Sequence, residues 1–391
     1  MKFDLIVVGA GPAGCMAART AANAGLKVAL LEKRQEIGEP IRCAGGISKS
    51  GLGKFVEPDP KWIISEVKGA RIHSPDGTRI MISGNQDQDD AGYILERKTF
   101  DRSLATDAAR SGAEVFVKTR AVGLLRKDDM LCGICAQRIG EFLKFEAPLV
   151  IGADGIESKV GRWAGIDTTL KLKDIEVCAQ FLVQGWDVNK DHCEFYLETK
   201  IAPGGYVWSF PVGERMANVG VCIQGSKATP GLALRLLENF ILKSMPDARP
   251  LDLVVGGVPA SGPIETTISD GVMLVGDAAR QSDPLTYAGL LNGMEAGVMA
   301  GEIAAEVVPE GGVCKAVLEP YDRRWRASIG KDIGKNYKLK SFFTALTDQD
   351  LNSALHMLES PNASSMYLKG MVKKLFRLNP SLLWKMRHLL F

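Results

Sequence analysis

The run Leu5-Ile-Val-Val-Gly9-Ala-Gly11-Pro-Ala13-Gly14, with the acid Glu32 beyond it, constrains this chain more than any other feature. Four apolar residues read as a buried strand, and the glycines after them specify one kind of turn. Gly9 permits a tight reversal, Gly11 lets a pyrophosphate approach the backbone, and Gly14 lets the next helix pack closely on the strand. Pro12 suits the first helical turn, where its missing N–H costs nothing. The helix N-terminus then offers free N–H groups and a positive dipole end to an anion. Lys27 to Leu31 reads as a second strand. Glu32 follows at the distance of an acid that accepts from a ribose 2′-hydroxyl, which disfavours a 2′-phosphorylated nucleotide. The unit predicts a dinucleotide site, for FAD or for NAD.

The 391 residues exceed one compact core and predict two or three domains. A net charge of +2 gives no reason to expect nucleic acid. No apolar run is long enough to span a bilayer and the N-terminus enters a strand at once, so the expected location is cytoplasmic. Among eight cysteines only Cys132 and Cys135 have a redox or metal spacing. They lack a second pair for zinc and sit in an apparent strand, where residues three apart diverge, so no metal is expected. The four histidines form no constellation for triad or zinc hydrolysis.

A second strand–helix rhythm follows the first. Arg97 to Ser111 places Phe100, Leu104 and Ala108 on one helical face, Gly112 ends it as a left-handed cap, and Glu114 to Lys118 reads as a strand. Two such units predict a parallel sheet. Between them, Val67 to Ser83 reads as antiparallel strands around a Pro75-Asp-Gly77 turn, leaving the nucleotide domain. Leu149 to Ala153 is a further buried strand, ending in Asp154-Gly155. Residues 175–225 are strand-rich and 231–244 helical. A strand over 272–280 ends in Gly276-Asp277 and leads into a long helix, and the chain from Glu319 onward reads as helical. Gly289, Gly293, Gly297 and Gly301 form a stripe at helical spacing. Each interior glycine costs up to about 1 kcal/mol relative to alanine. Close packing against the first nucleotide-binding helix, with Gly289 nearest the cofactor, offsets that cost.

The glycine fingerprint with Glu32, Asp154-Gly155 and Gly276-Asp277 together resemble the FAD-binding pattern of flavoproteins related to aromatic hydroxylases. No second fingerprint for bound NAD(P)H is visible, which favours FAD. Arg42-Cys43-Ala44-Gly45-Gly46 and Pro203-Gly-Gly-Tyr206-Val-Trp208-Ser-Phe210-Pro211 further resemble signatures of the geranylgeranyl reductase family, closest to its archaeal members acting on digeranylgeranylglycerophospholipids. The likeness covers roughly residues 2–330. It implies an α/β (α+β) fold in three parts. A discontinuous Rossmann-like FAD-binding domain takes 1–66, 96–170 and 265–310. An antiparallel-sheet substrate domain takes 67–95 and 171–264, and a helical C-terminal region takes 311–391. It also implies that FAD saturates double bonds of prenyl chains in ether lipids, with an external electron donor (ferredoxin, F420 or NAD(P)H).

The implied cofactor residues are Gly9, Gly11, Ala13, Gly14, Glu32, Arg42, Cys43, Ala44, Gly46, Arg97, Ala121, Asp277, Gly289 and Leu290. Asp277 is expected near the ribityl chain and Ala121 near the adenine. Cys43 is the candidate catalytic residue facing the flavin, as proton donor or pocket wall; the alternative is a buried structural cysteine. Arg97 pairs with the diphosphate or ribose, or else forms a surface ion pair. Pro203, Tyr206, Trp208, Phe210 and Pro211 are the implied substrate residues. Tyr206, Trp208 and Phe210 alternate and share one strand face, lining a tunnel or an ordinary core. One departure stands out: many family members carry Thr and a run of glycines where this chain has Thr286-Tyr287-Ala288-Gly289-Leu290, so Tyr287 adds bulk where backbone should approach the flavin.

After Glu359 no acidic residue appears, while Lys369, Lys373, Lys374, Arg377, Lys385 and Arg387 accumulate among apolar residues. Such a stretch suits either peripheral contact of 369–391 with the inner face of an anionic membrane or a helix docked on its own domain. Two rival readings share the fold: a flavin monooxygenase of a small apolar substrate, and a flavin electron carrier to a quinone.

Overall fold

Residues 1–83, 92–128 and 130–358 are described here from a computed structural model. The apolar run Leu5–Val8 forms the expected buried strand, with Val28–Leu31 and Leu149–Gly152 paired parallel on either side of it. Glu114–Phe116 and Val272–Leu274 extend the sheet on the two sides, and Ile268–Ser269 closes one edge antiparallel. Strands buried on both faces read as continuous apolar runs, which is why VALL and LVIG were legible as parallel-sheet members.

Helix Pro12–Asn23 packs on this sheet, flanked by Arg97–Arg110 and by the glycine-striped helix Leu290–Val307. The striped helix starts at Leu290 rather than directly after Asp277, because a 3-10 turn over Gly276–Ala279 and a loop intervene. Its glycines behave as predicted. A Cβ on Gly297 would collide with the Ala13 carbonyl oxygen, and one on Gly301 would come 2.7 Å from that of Ala17.

The second layer is a seven-stranded sheet in the order Arg249–Pro259, Ile175–Gln184, Met216–Gln224, Tyr206–Gly213, His192–Tyr196, Gly69–His73 and Arg79–Ser83. All its pairs are antiparallel except His192–Tyr196 with Gly69–His73. Helix Leu232–Ser244 covers one face over Val207, Val219 and Val221. The opposite face carries Cys178, Gln180, Tyr206, Trp208 and Phe210. Two three-stranded sheets complete the fold, one over 119–146 and one joining Gly46–Ser48, Gly92–Leu95 and Ile63–Val67. Helices Lys315–Trp325, Lys331–Phe343 and Asp348–Leu358 follow. The basic stretch 369–391 lies outside the described residues.

Candidate cofactor groove and substrate cavity

Each fingerprint glycine meets a different physical demand. Gly9 has φ +110°, and a Cβ there would strike the Ala153 carbonyl. A Cβ on Gly14 would strike the Gly9 carbonyl, so Gly14 sets the helix-to-strand distance. Gly11 is different: a Cβ there would meet nothing within 4 Å, because its face opens into a groove. That groove, about 310 Å³, is lined by Gly9, Gly11, Glu32, Arg42, Arg97, Ala121 and Asp154 among others. Glu32 is fixed before any ligand arrives, with Oε2 accepting from the Ala10 N–H at 3.1 Å and Oε1 from that of Arg34 at 2.8 Å. Ala13 and Gly14 do not line the groove. They lie beneath it, between the sheet and the striped helix.

On the groove wall, Asp154 Oδ2 accepts from the Val160 N–H at 3.0 Å, while Oδ1 is buried with no partner. Burial pushes this carboxyl up. An open glycine cradle at a helix N-terminus, a pre-oriented ribose acceptor and an unpartnered buried acceptor fit the parts of an FAD molecule.

At the inner end of the groove the predicted residues converge. Arg97 is not a surface pair: its side chain is 13% exposed and grips Asp101 with Nε–Oδ1 3.1 Å, Nη2–Oδ1 3.0 Å and Nη2–Oδ2 3.0 Å. The guanidinium also lies close enough to Cys43 to interact with it electrostatically. Burial pushes Asp277 up to about 6, against the pull of Arg97. Gly289 lies beside it, where a Cβ would be 3.3 Å from Asp277 Oδ1. Arg42 and Cys43 follow Pro40 in an irregular loop, and Arg42 lines both the groove and a second, larger cavity.

That second cavity measures about 930 Å³. Its lining includes Cys43, Ala44, Gly46, Tyr206, Trp208, Phe210, Gly289 and Leu290. Trp208 is anchored by an Nε1–H bond to Gln180 Oε1 at 3.2 Å. Phe195, from a neighbouring strand, meets both Tyr206 and Phe210 edge-on, each at 5.4 Å between centroids. A Cβ on Gly46 would come 2.8 Å from Phe210 Cε2, so glycine there admits the ring. Asn218 Nδ2 donates to the Ala44 carbonyl at 3.2 Å and holds the Cys43 loop against the sheet.

Two substrate expectations are corrected. Strand alternation turns Pro211 to the face opposite Tyr206, Trp208 and Phe210. Pro203 precedes the strand, where its carbonyl accepts from the Gln224 N–H at 3.1 Å; neither proline lines the cavity. Tyr287 also behaves differently from a simple obstruction. It takes φ +60°, and its ring stacks on Tyr206 at 5.3 Å with a 13° interplanar angle. Tyr206 in turn donates its hydroxyl to the Thr286 carbonyl at 2.7 Å. Sequence reasoning missed Asp101, which pairs with Arg97 one helical turn away, and Gln180 and Phe195, which reach the site through strand pairings distant in the chain.

Cys132 and Cys135 both lie in strand Met130–Arg138 as free thiols. Among the described residues no group of three His, Cys, Asp or Glu side chains could hold a metal, and no helix is long and apolar enough to cross a membrane.

Known proteins resemble the chain at every level. The geranylgeranyl reductase catalytic domain profile matches residues 174–258, and the FAD-dependent oxidoreductase profile matches 4–208. A digeranylgeranylglycerophospholipid reductase of Methanothrix thermoacetophila is 58% identical over 100% of both chains. Its namesake in Methanosarcina mazei is 51% identical, covering 99% of this chain and 96% of its own. A geranylgeranyl bacteriochlorophyll reductase-like protein of Thermoplasma acidophilum superposes with a TM-score of 0.93 at 34% identity, over 99% of each chain. The flavin-dependent brominase Bmp2, at 18% identity and a TM-score of 0.73 over 96% of this chain and 93% of its own, shares the fold alone.

Proposed function

This chain belongs to the digeranylgeranylglycerophospholipid reductase family, and from that premise we propose that it saturates carbon–carbon double bonds in the geranylgeranyl chains of ether-lipid precursors, with FAD as its cofactor. One observation carries the reading: the nucleotide groove and a large, mostly apolar cavity share Arg42, with Cys43 next to it on the cavity side. Bound and reduced, FAD supplies a hydride from N5 to an alkene.

The chain's own residues bind and align. Gly9, Gly11 and the N-terminus of helix Pro12–Asn23 hold the diphosphate. Glu32 accepts from the ribose, Ala121 backs the adenine, and Asp277 accepts from the ribityl hydroxyls. Arg97, locked by Asp101, positions Cys43, while Ala44, Gly46, Gly289 and Leu290 bound the ring site. Tyr206, Trp208 and Phe210 line the prenyl channel. Each buried CH₂ contributes about 0.8 kcal/mol, so an apolar wall suffices for affinity. Exclusion of water and oxygen by that wall protects the reduced state.

In this reading 1–66, 96–170 and 265–310 form the cofactor domain, 67–95 and 171–264 the substrate domain, and 311–391 the helical region. Electrons arrive from an external donor, whether ferredoxin, F420 or NAD(P)H. Residues 369–391 make a peripheral contact with the inner membrane face, where the lipid substrate resides.

The test is anaerobic. Purified holoprotein is reduced with dithionite, geranylgeranyl lipid is added, and product mass is followed. Two added hydrogens per turnover support the reductase. Oxygenated product on admitting air would indicate a monooxygenase instead, and reoxidation only by a quinone would indicate an electron carrier.

A further inference from the structure

Saturating an alkene takes a hydride at one carbon and a proton at the other. Where the lining is mostly apolar, a polar side chain of the wall is a direct source of that proton. Behind the wall sits a buried ionisable cluster that neither the cofactor groove nor the apolar lining uses. Glu176, near the start of strand Ile175–Gln184, is 0% exposed. Lys340, from helix Lys331–Phe343, is 3% exposed and sets Nζ 2.7 Å from Glu176 Oε1. The same ammonium donates to the carbonyls of Ala260 at 3.1 Å and Lys173 at 3.3 Å.

Glu176 is poorly served for a buried carboxyl. Despite the ion pair, neither oxygen makes a hydrogen bond of good geometry. The Lys340 ammonium also lies over the Tyr287 ring, 5.9 Å from its centroid. Burial holds Glu176 above the ordinary carboxylate range, opposed by Lys340, so it retains a proton more readily than an exposed glutamate.

Tyr287 connects this cluster to the cavity it lines. Its φ of +60° is rare for a bulky side chain and is held in place by the stack on Tyr206. It stands two residues before Gly289, the neighbour of Asp277. Two neighbours in the lining direct their protons to backbone: the Tyr206 hydroxyl donates to the Thr286 carbonyl and the Cys222 thiol to the Tyr206 carbonyl at 3.5 Å.

We propose that Tyr287 is the acid that protonates the alkene, with Glu176 and Lys340 as the positioning and resupply groups behind it. This rests on the reductase reading above. The step balances: the Tyr287 O–H bond breaks and its proton forms a C–H bond at one alkene carbon, while the hydride and its electron pair form the other. The phenolate takes the Glu176 carboxyl proton, and the resulting carboxylate stays paired with Lys340 until solvent returns a proton.

The test compares holoenzyme with Tyr287→Phe, which keeps the ring and its stack, and with Glu176→Gln. With dithionite-reduced protein and geranylgeranyl lipid, Tyr287→Phe lowers the saturation rate by about 10²-fold or more, while FAD content and lipid affinity stay unchanged. Independently of turnover, an infrared pH titration of the apoprotein shows a protonated-carboxyl band that persists above the ordinary carboxylate range and that Glu176→Gln removes. A Tyr287→Phe rate within about threefold of wild type overturns the proposal, as does a loss matched by an equal loss of lipid affinity, which marks packing. Absence of the band also overturns it, because Glu176 then has no proton to pass. If wild-type protein itself fails to saturate the lipid, the reductase reading fails instead.

Discussion

Asp277 offers a measurement that separates stability from function. Its carboxyl is pushed from 3.8 up to about 6, burial outweighing the nearby Arg97 guanidinium. A folded-state pKa above the unfolded one means stability is complete below the unfolded value and falls as pH rises through the folded value. The difference amounts to about 3 kcal/mol above pH 6, at 1.36 kcal/mol per pKa unit. Asn in place of Asp277 removes the titration while keeping the shape. Urea unfolding of the apoprotein then gives equal midpoints for wild type and Asp277→Asn near pH 3, with the variant gaining up to about 3 kcal/mol near pH 8. Cofactor affinity moves the other way. A carboxylate accepting from a hydroxyl contributes about 1.5–3 kcal/mol, so the variant binds FAD about 10- to 100-fold more weakly. A stability gap that ignores pH, or a variant less stable than wild type near pH 8, would refute the assignment of Asp277 as a buried acceptor awaiting its donor.

Three further outcomes follow from the geometry. Gly297→Ala drives a methyl into the Ala13 carbonyl; overpacking of this kind costs about 1–3 kcal/mol, read as a lowered thermal midpoint, and an unchanged midpoint removes the tight helix contact. Glu32→Ala leaves the Ala10 and Arg34 N–H groups without their acceptor. FAD titration should show weakened binding, and undiminished affinity means Glu32 does not serve the ribose. Tyr206→Ala and Trp208→Ala slow lipid saturation while bound flavin persists; unaffected turnover in both eliminates the channel. Each change also loses packing: Trp208→Ala in the core, Tyr206→Ala in the ring stacked on Tyr287.

The nucleotide half was legible because its signals are local. Four consecutive buried residues, three glycines and an acid fall within one strand–helix–strand unit, and each glycine's neighbours proved to be those its position demands. The stripe of Gly293, Gly297 and Gly301 was equally readable, since only close backbone contact offsets so many glycines in one helix. Period-two alternation gathered Tyr206, Trp208 and Phe210 but could not bring Phe195 to them, because that meeting depends on which strands pair. The parallel pairing of His192–Tyr196 with Gly69–His73 is likewise a non-local choice with no mark in either segment. Tyr287 could be seen as added bulk, yet its direction follows from a left-handed backbone that nothing in the string Thr-Tyr-Ala-Gly announces. Glu176 and Lys340 carry no local signal at all, since a buried pair looks like any other charges until the helix folds back on the strand.

The contact between helices Pro12–Asn23 and Leu290–Val307 has a mechanical consequence. One helix begins at the turn of Gly9 and Gly11, the other at Gly289 beside Asp277, and between them the Ala13 and Ala17 carbonyls face Gly297 and Gly301, with the Cβ atoms of Ala13, Met16 and Thr20 beside them. The pair therefore works as a ruler: the span between the helix starts is set by backbone and Cβ atoms, with no flexible side-chain end between the two. A single added carbon inside the seam displaces both ends at once.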